Sequence, residues 1–201
     1  IRSAVDSTVI IATRSGLLQR DGDIVDLDGV SNLNFANLTA SNYYVVVKHR
    51  MHLGVMSKLI NAGQSIDFTS PQTPTYDFGY VNSELDYTGL SQNNAAISGY
   101  KVMWCGDLNG DGLVKISGPN EDGGVIFTDI LGHQDNTGYL SAFDAAIGYY
   151  NSDIDMNGKS KYTSPNDDLV IIMAQALSYP QNKKLILNYS LLREQVPSVK
   201  P

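Results

Sequence analysis

Short apolar runs, separated by glycine, asparagine, aspartate or serine, recur along the first hundred residues of the chain. Valine, isoleucine, threonine, tyrosine and phenylalanine dominate these runs, and such residues favour strands. Several short strands at this spacing are typical of a β-sandwich. We therefore predict a β-sandwich domain over residues 1–100, with strands within 8–12, 16–18, 24–27, 33–35, 43–47, 53–56 and 66–68.

The pattern changes at about residue 100, where acidic loops rich in glycine and asparagine alternate with apolar residues at helical spacing. Ile126 and Ile130 are four residues apart, as are Ile172 and Ala176, and this interval places side chains on one helix face. The predicted fold class is therefore mainly β with α, and the second domain is mainly helical. Its predicted parts are a domain over 101–201, a strand at 100–105, helices around 125–130 and 169–177, and a last turn or short helix at 185–194.

Two segments of the second half are similar to each other. Residues 107–131 read DLNGDGLVKISGPNEDGGVIFTDIL and residues 153–177 read DIDMNGKSKYTSPNDDLVIIMAQAL, so they align without a gap at an offset of 46 residues. Because acids, a glycine and a proline recur together at one offset, we interpret the pair as a duplication. The identical pairs are Asp107/Asp153, Gly112/Gly158, Lys115/Lys161, Pro119/Pro165, Asn120/Asn166, Asp122/Asp168, Ile126/Ile172 and Leu131/Leu177.

Each copy opens with oxygen-bearing side chains at positions 1, 3 and 5 and a glycine at position 6, as an EF-hand calcium loop does. Ca²⁺ binds about six to eight oxygens at about 2.3–2.6 Å, and short side chains on alternate residues of a tight turn can supply them. The glycine permits the reversal that brings the position-7 carbonyl to the ion. The predicted ligands are Asp107, Asn109, Asp111 and Leu113 in the first copy, and Asp153, Asp155, Asn157 and Lys159 in the second.

The end of each loop departs from the EF-hand pattern. Position 12 is Gly118 or Ser164 instead of a carboxylate, and the copies share an inserted turn before Asp122 and Asp168 at position 16. The dipole of the following helix favours a carboxylate there. We predict that these two aspartates close the loops and that each loop binds one Ca²⁺, since Mg²⁺ is rarely enclosed by protein ligands alone. The predicted loops span residues 107–122 and 153–168.

Two EF-hand-type loops, each followed by one helix, resemble the dockerin arrangement of secreted bacterial proteins, although the offset is longer than in ordinary dockerins. Residues 32–47, NLNFANLTASNYYVVV, resemble part of a transthyretin-like or carboxypeptidase-regulatory β-sandwich. A broader resemblance, to C-terminal modules of large secreted bacterial surface proteins, covers nearly the whole chain. Its matching strings are LQRDGDIVDLDG at 18–29, YYVVVKHRMHLGVM at 43–56, MWCGDLNGDG at 103–112, SPND in the second loop and LREQVP at 192–197.

The resemblance implies an extracellular, cell-surface module with a dockerin-like calcium-binding tail and a role in attachment or assembly. It also implies that Cys105 is a buried apolar filler. We therefore expect a structural or adhesive module that binds a protein partner or assembles with itself into a fibre or layer. The alternative is a carbohydrate-binding accessory module of a secreted hydrolase.

Charge and composition exclude several classes of protein. The chain has 14 basic and 21 acidic residues, a net charge of −7 and no basic run, so a nucleic-acid backbone would be repelled. Its apolar stretches are too short to insert across a bilayer. A single cysteine excludes an intramolecular disulfide and a thiolate metal cluster. No local motif of nucleophilic catalysis or phosphate binding is present, so we predict no enzymatic activity. Because the chain opens at Ile1 without methionine, we expect a processed or truncated piece.

An acidic cluster lies in the first half of the chain, within the string RDGDIVDLDG. It indicates either a third cation site, because closely spaced aspartates can share an ion, or a polar hairpin in which Ile24 and Leu27 point inward. The cluster consists of Asp21, Asp23, Asp26 and Asp28.

His49 and His52 suggest zinc, which requires about four ligands. No convincing third ligand accompanies them, so we interpret them as hydrogen-bonding groups at a strand end. Trp104 and the twelve tyrosines offer faces on which sugar rings stack. Because Trp104 follows a strand pattern beside the first loop, core packing is the preferred interpretation.

Overall fold

The computed structural model describes residues 1–77, 89–144, 146–163, 165, 167–187 and 192–199. Within these residues the chain is mainly β, with short antiparallel strands and two short helices. The strands are β1 (Arg2–Ser3), β2 (Leu17–Leu18), β3 (Ile24–Val25), β4 (Asn42–Tyr44), β5 (Val46–Val47), β6 (Val55–Met56), β7 (Ile60–Asn61), β8 (Asn93–Asn94), β9 (Lys101–Val102), β10 (Ala146–Ile147) and β11 (Lys159–Ser160). The helices are α1 (Gly123–Leu131) and α2 (Asp168–Ser178).

The first half contains one three-stranded sheet and several paired strands. The sheet has the order β1-β4-β7, with Tyr43 of β4 opposite Ser3 on one side and Ile60 on the other. Tyr43 is buried, so the central strand anchors this sheet. Of the remaining strands, β2 pairs with β3, β5 with β6 and β8 with β9, while β10 pairs with β11 in the second half of the chain.

The apolar runs predict strand positions only in part. Strands are found within four of the seven predicted runs, whereas 33–35 and 66–68 contain none and 8–12 contains only an isolated bridge between Ile10 and Arg2. No residue of 33–35 or 66–68 is buried. Strand propensity reflects packing against neighbours, and these runs are at most partly buried.

Both predicted helices are confirmed, and each buries the face that its apolar spacing predicts. The prediction that residues 101–201 are mainly helical is wrong, because the described helices have only nine and eleven residues and the rest is short strands, turns and loops. α1 buries Ile126 and Ile130, and α2 buries Ile172 and Ala176 at the equivalent positions of the second copy. The two helices pack against each other. Neither described helix has the length and apolar character needed to cross a membrane.

The main hydrophobic core lies in the second half and includes residues of the first. Trp104 and both helices contribute to it, and Met51 and Leu53 are fully buried in the same cluster. The Leu53 N–H donates to the Trp104 carbonyl at 2.8 Å, and the Gly106 N–H donates to the Met51 carbonyl at 2.8 Å. A segment of the predicted first domain therefore packs directly on the second, and the boundary at residue 100 stays a prediction.

Each copy contributes an extended segment that pairs with the loop of the other copy. β10, which follows α1, pairs with β11 in the second loop. The equivalent segment after α2 pairs with the first loop, where Leu113 bridges Arg193 and the Val114 N–H donates to the Leu192 carbonyl at 2.9 Å. Residues 192–194, predicted as helix or turn, are therefore extended, while residues 188–191 of that prediction lie outside the described residues.

Aromatic packing shows that the repeat begins before the loops. Trp104 packs on Tyr179 with ring centroids 5.2 Å apart, and Tyr150 packs on His133 at 6.1 Å. Tyr150 follows Trp104, and Tyr179 follows His133, by the same 46 residues as the loops. Two consecutive units, 103–148 and 149–194, thus pack face to face.

Candidate cation sites

The closing aspartates make the same contacts in both copies. Both carboxylate oxygens of Asp122 accept backbone N–H groups from the loop, and so do those of Asp168. Each aspartate therefore ties the start of its loop to the residues that precede its helix. The bonds run from Leu108 (2.8 Å) and Lys115 (2.7 Å) to Asp122, and from Ile154 (2.7 Å) and Lys161 (2.7 Å) to Asp168.

The first aspartate of each loop binds the backbone of the loop glycine. The Gly112 N–H donates to Asp107 Oδ2 at 3.1 Å, and the Gly158 N–H donates to Asp153 Oδ2 at 3.0 Å. These glycines have φ values of 80° and 86°, in the left-handed region that side chains disfavour. The glycine predicted at position 6 is thus required by the turn.

One oxygen of the first loop lacks a hydrogen-bond partner. Asp107 is only 6% exposed, and its Oδ1 is buried without a donor in the described part of the chain. A buried carboxylate oxygen without a partner costs free energy. A cation bound at Asp107 Oδ1 would remove that cost.

Side chains at positions 3 and 5 accept N–H groups two residues further on. Asn109 Oδ1 accepts the Asp111 N–H at 2.9 Å, and Asp111 Oδ1 accepts the Leu113 N–H at 2.9 Å. These Asx turns produce a tight reversal with side-chain oxygens inside. The second loop repeats them, with bonds from Asn157 N–H to Asp155 (3.1 Å) and from Lys159 N–H to Asn157 (2.9 Å).

The position-7 carbonyls face their loops. Leu113 lies opposite Arg193 in an antiparallel bridge, but its own N–H donates to Asp111 on the loop side. The N–H and C=O of one strand residue point to the same side. The Leu113 carbonyl therefore faces the loop as position 7 requires, and so does that of Lys159, which pairs with β10 and donates to Asn157.

The second loop brings three carboxylates together. One oxygen each of Asp153, Asp155 and Asp168 lie within 4.8 Å of one another, close enough to bind one metal ion. The first loop has the same number of carboxylates, but Asp107, Asp111 and Asp122 form no such group in the described part of the chain. Both loops are thus lined with the oxygen ligands that hard cations prefer.

Burial makes these carboxylates difficult to ionise without a cation. It raises the pKa of Asp122 to about 7 and that of Asp107 to about 6, where the charges of Asp111 and Glu194 add to the effect. In the second loop burial raises the pKa of Asp168 to about 6. A bound cation would reverse this preference, because metal ligands must be deprotonated.

The acidic cluster of the first half serves local turns. Asp26 forms an ion pair with Arg14 at 2.6 Å, and Asp28 accepts the Ser31 N–H at 2.8 Å. None of the four aspartates belongs to a group of three metal-ligating side chains in the described part of the chain. These contacts favour the polar hairpin over a third cation site.

The prediction that Ile24 and Leu27 of that hairpin point inward is wrong. Ile24 is 38% exposed and Leu27 is 65% exposed, whereas Val25 is 7% exposed. Successive strand side chains point to opposite faces, so a buried Val25 places Ile24 outside.

The two histidines bind each other. His49 Nδ1 and His52 Nδ1 are 2.9 Å apart, so one ring donates to the other. Burial, reinforced by the charges of His49 and Arg50, lowers the pKa of His52 to about 4. Within the described residues neither histidine belongs to a group of three metal ligands, which favours the hydrogen-bonding role.

Trp104 and Cys105 contribute to packing. Trp104 is fully buried and donates from Nε1 to the Leu90 carbonyl at 3.0 Å, so its face is closed to a sugar. Burial raises the pKa of Cys105 to about 11, which keeps the thiol protonated.

Comparison with known proteins returned no match: no family model fits the chain, and neither curated proteins nor solved structures resemble it significantly.

Sequence reasoning missed two asparagines that follow the helices. Asn136 Nδ2 donates to the Ile130 carbonyl at 2.8 Å and Asn182 Nδ2 donates to the Ala176 carbonyl at 2.7 Å, both at helix C-termini. Each also binds the chain four residues further on, in the same pattern. They are 46 residues apart and identical, so extending the sequence comparison beyond residue 131 would have found them.

Proposed function

We propose that the chain is a calcium-binding structural module in which two duplicated loops each bind one Ca²⁺. The observation that carries the proposal is the repetition of one hydrogen-bond pattern in both loops, the second of which brings one oxygen each of three carboxylates within 4.8 Å of one another. Buried aspartates, left-handed glycines and Asx turns recur at matched positions of the two loops, and a cation bound in each loop would explain why they recur together. The ligands would be the predicted ones, Asp107, Asn109, Asp111, Leu113 and Asp122 in the first loop, and Asp153, Asp155, Asn157, Lys159 and Asp168 in the second.

Calcium fits the donor set better than other common cations. The loops offer carboxylate, amide and carbonyl oxygens and no thiolate or imidazole, which disfavours zinc and copper. Mg²⁺ requires a small octahedral shell and retains several waters, whereas Ca²⁺ accepts a flexible shell of protein oxygens.

The ions would stabilise the packing of the two copies. Each loop pairs with a strand from the other copy, so an ordered loop supports both units at once. A ligand present at a hundred times its dissociation constant adds about 2.7 kcal/mol of stability when only the folded state binds it. Two sites of this kind would contribute a substantial part of the stability of a small domain.

The proposed setting is extracellular, where millimolar Ca²⁺ keeps even weak sites occupied. There the chain would act as a dockerin-like attachment or assembly module, with a small β-sandwich preceding the calcium-binding tail. Its partner would be another protein or a second copy of the chain. This role is proposed from the order of two EF-hand-type loops, each followed by one helix, which is similar to the dockerin arrangement although no family model matches the chain.

Calorimetric titration of the chelated protein with Ca²⁺ tests the proposal. We expect two ions per chain and a melting temperature that rises by roughly 10 °C in calcium over chelator, with a much smaller rise in Mg²⁺. The variant Asp107→Asn/Asp153→Asn should lose most of that rise, while Asp144→Asn, an exposed aspartate outside both loops, should keep it.

Binding of no calcium would overturn the proposal. The assembly role is tested separately by light scattering after size exclusion, in calcium and in chelator. Protein that stays monomeric in calcium and captures no extracellular partner would contradict it and leave calcium binding intact.

A further inference from the structure

Glu194 occupies a position at which the two copies differ. Its backbone N–H donates to the Gly112 carbonyl at 2.8 Å, just as the Gly148 N–H donates to the Gly158 carbonyl at 3.1 Å. The backbone at this position therefore supports the loop glycine in both copies. Only the first loop has a side chain there, because the residue that binds the second loop at this position is Gly148.

The first half of the chain holds the Glu194 carboxylate. Glu194 Oε1 accepts the Gly54 N–H at 2.7 Å and lies 2.9 Å from Lys48 Nζ. The Glu194 side chain is only 15% exposed. A Cβ added at Gly54 would collide with Glu194 Oε1, so the contact requires glycine.

These contacts link the first loop to residues 46–56, which we call the β5–β6 segment. Lys48 follows β5 and Gly54 precedes β6. From Glu194 the connection continues through Gly112, whose N–H donates to the predicted ligand Asp107. A shift of the Glu194 backbone would therefore move the glycine on which the loop turns.

We propose that Glu194 is a positioning residue for the first cation loop, and that it couples ion binding there, but not in the second loop, to the packing of the β5–β6 segment. This inference rests on the proposed calcium binding. Two physical effects both favour ion binding in the first loop. The Lys48 and Gly54 contacts fix the strand that supports Gly112, and the Glu194 charge adds negative potential beside Asp107, which attracts a cation. Coupling is reciprocal, so calcium in the first loop should also order the β5–β6 segment.

The test measures each site separately by calorimetric Ca²⁺ titration of the full chain. Asp153→Asn/Asp155→Asn leaves only the first site, and Asp107→Asn/Asp111→Asn leaves only the second. Glu194→Gln and Gly54→Ala are introduced into both backgrounds. We expect each to weaken the first site roughly tenfold, as the loss of one buried charge-assisted hydrogen bond would, and to leave the second unchanged.

Gly138→Ala is the matched control, because a Cβ there meets only ordinary contacts with the Leu140 side chain at 3.4 Å or more. In a Glu194→Ala chain, Gly54→Ala should have a much smaller further effect, since both Glu194 atoms that the added Cβ would meet are gone and only the flexible Lys48 side chain remains close, with its Cγ at 3.2 Å. Gly54→Ala and Lys48→Met keep the test available if Glu194→Gln fails to fold.

Hydrogen exchange at the Gly54 amide provides a second readout. Calcium should slow this exchange at least several-fold when only the first site is intact, and should not when only the second is intact. Equal weakening of both sites, or an unchanged first site with unchanged Gly54 exchange, would overturn the inference. That outcome differs from failure of the proposed function, in which the unsubstituted chain binds no calcium at all.

Discussion

Side chains in the two loops accept equivalent backbone N–H groups, although asparagine and aspartate occur in a different order. The first has Asn109 and Asp111 where the second has Asp155 and Asn157, so each contains one amide and the same number of carboxylates. An asparagine and an aspartate are interchangeable here because both accept the N–H two residues further on. The pattern therefore depends on side-chain length and an oxygen acceptor more than on charge.

The loops differ in their surroundings. Glu194 joins the first loop to the β5–β6 segment, whereas Gly148 at the equivalent place offers no side chain to any neighbour. The duplicated loops thus share their internal contacts, and of the equivalent residues Glu194 and Gly148, Glu194 alone adds a side-chain contact to another segment. Three predictions, from the largest expected effect to the smallest, test how far the equivalence extends.

Removal of a closing aspartate should have the largest effect and should be equal in the two copies. Asp122→Ala or Asp168→Ala leaves buried N–H groups without acceptors and removes a cation ligand, so each should cost about 3 kcal/mol or more of unfolding free energy in calcium. Urea denaturation measures this, with the exposed Asp144→Ala as control. If one loop tolerates the change within about 0.5 kcal/mol, the two loops are not equivalent.

The pH dependence should be stronger for the first loop. In chelator, a carboxyl whose folded pKa lies above its unfolded value stabilises the protein below the unfolded pKa, near 4, and loses that contribution as pH rises through the folded pKa. The free energy of unfolding should therefore fall between about pH 4 and 7. The slope is about 1.4 kcal/mol per pH unit for each proton that the folded protein binds and the unfolded protein does not. Asp122, with a pKa of about 7, should contribute over a wider range than Asp168, at about 6.

Calcium should reverse this trend, because binding requires ionised ligands. Thermal unfolding at several pH values, in calcium and in chelator, checks both signs. Asp122→Asn should remove more of the pH dependence than Asp168→Asn. Stability in chelator that rises with pH over this range would contradict the burial argument.

The asparagines behind the helices should show the smallest effects and the closest agreement. Asn136→Ala and Asn182→Ala each remove a bond to a helix C-terminus, so each should cost about 1–2 kcal/mol. Calcium affinity should change little, since neither side chain belongs to a predicted ligand set. Denaturant midpoints compared with the exposed Asn94→Ala provide the measurement, and a difference above about 1 kcal/mol between the two would show that their helix ends are not equivalent.

The helices and loops were predictable because their signals are local. Ile126 and Ile130 specify a helix face over a few residues, and Asp107 with Gly112 specifies a turn within six. The strands were less predictable, because run 33–35 has apolar residues at alternate positions but none of its residues is buried. Glu194 carried no signal, since its role depends on Gly54, 140 residues away in the chain.

The amino-acid sequence by itself determined the duplication, the spacing of oxygen side chains and the positions of both helices, since these depend on contacts within a few residues. Tertiary structure alone decided that each loop pairs with a strand of the other copy, that Met51 and Leu53 enter the core, and that Glu194 reaches the β5–β6 segment. Pairing between distant segments depends on which surfaces fit together once the chain is compact. Local periodicity carries no record of that fit.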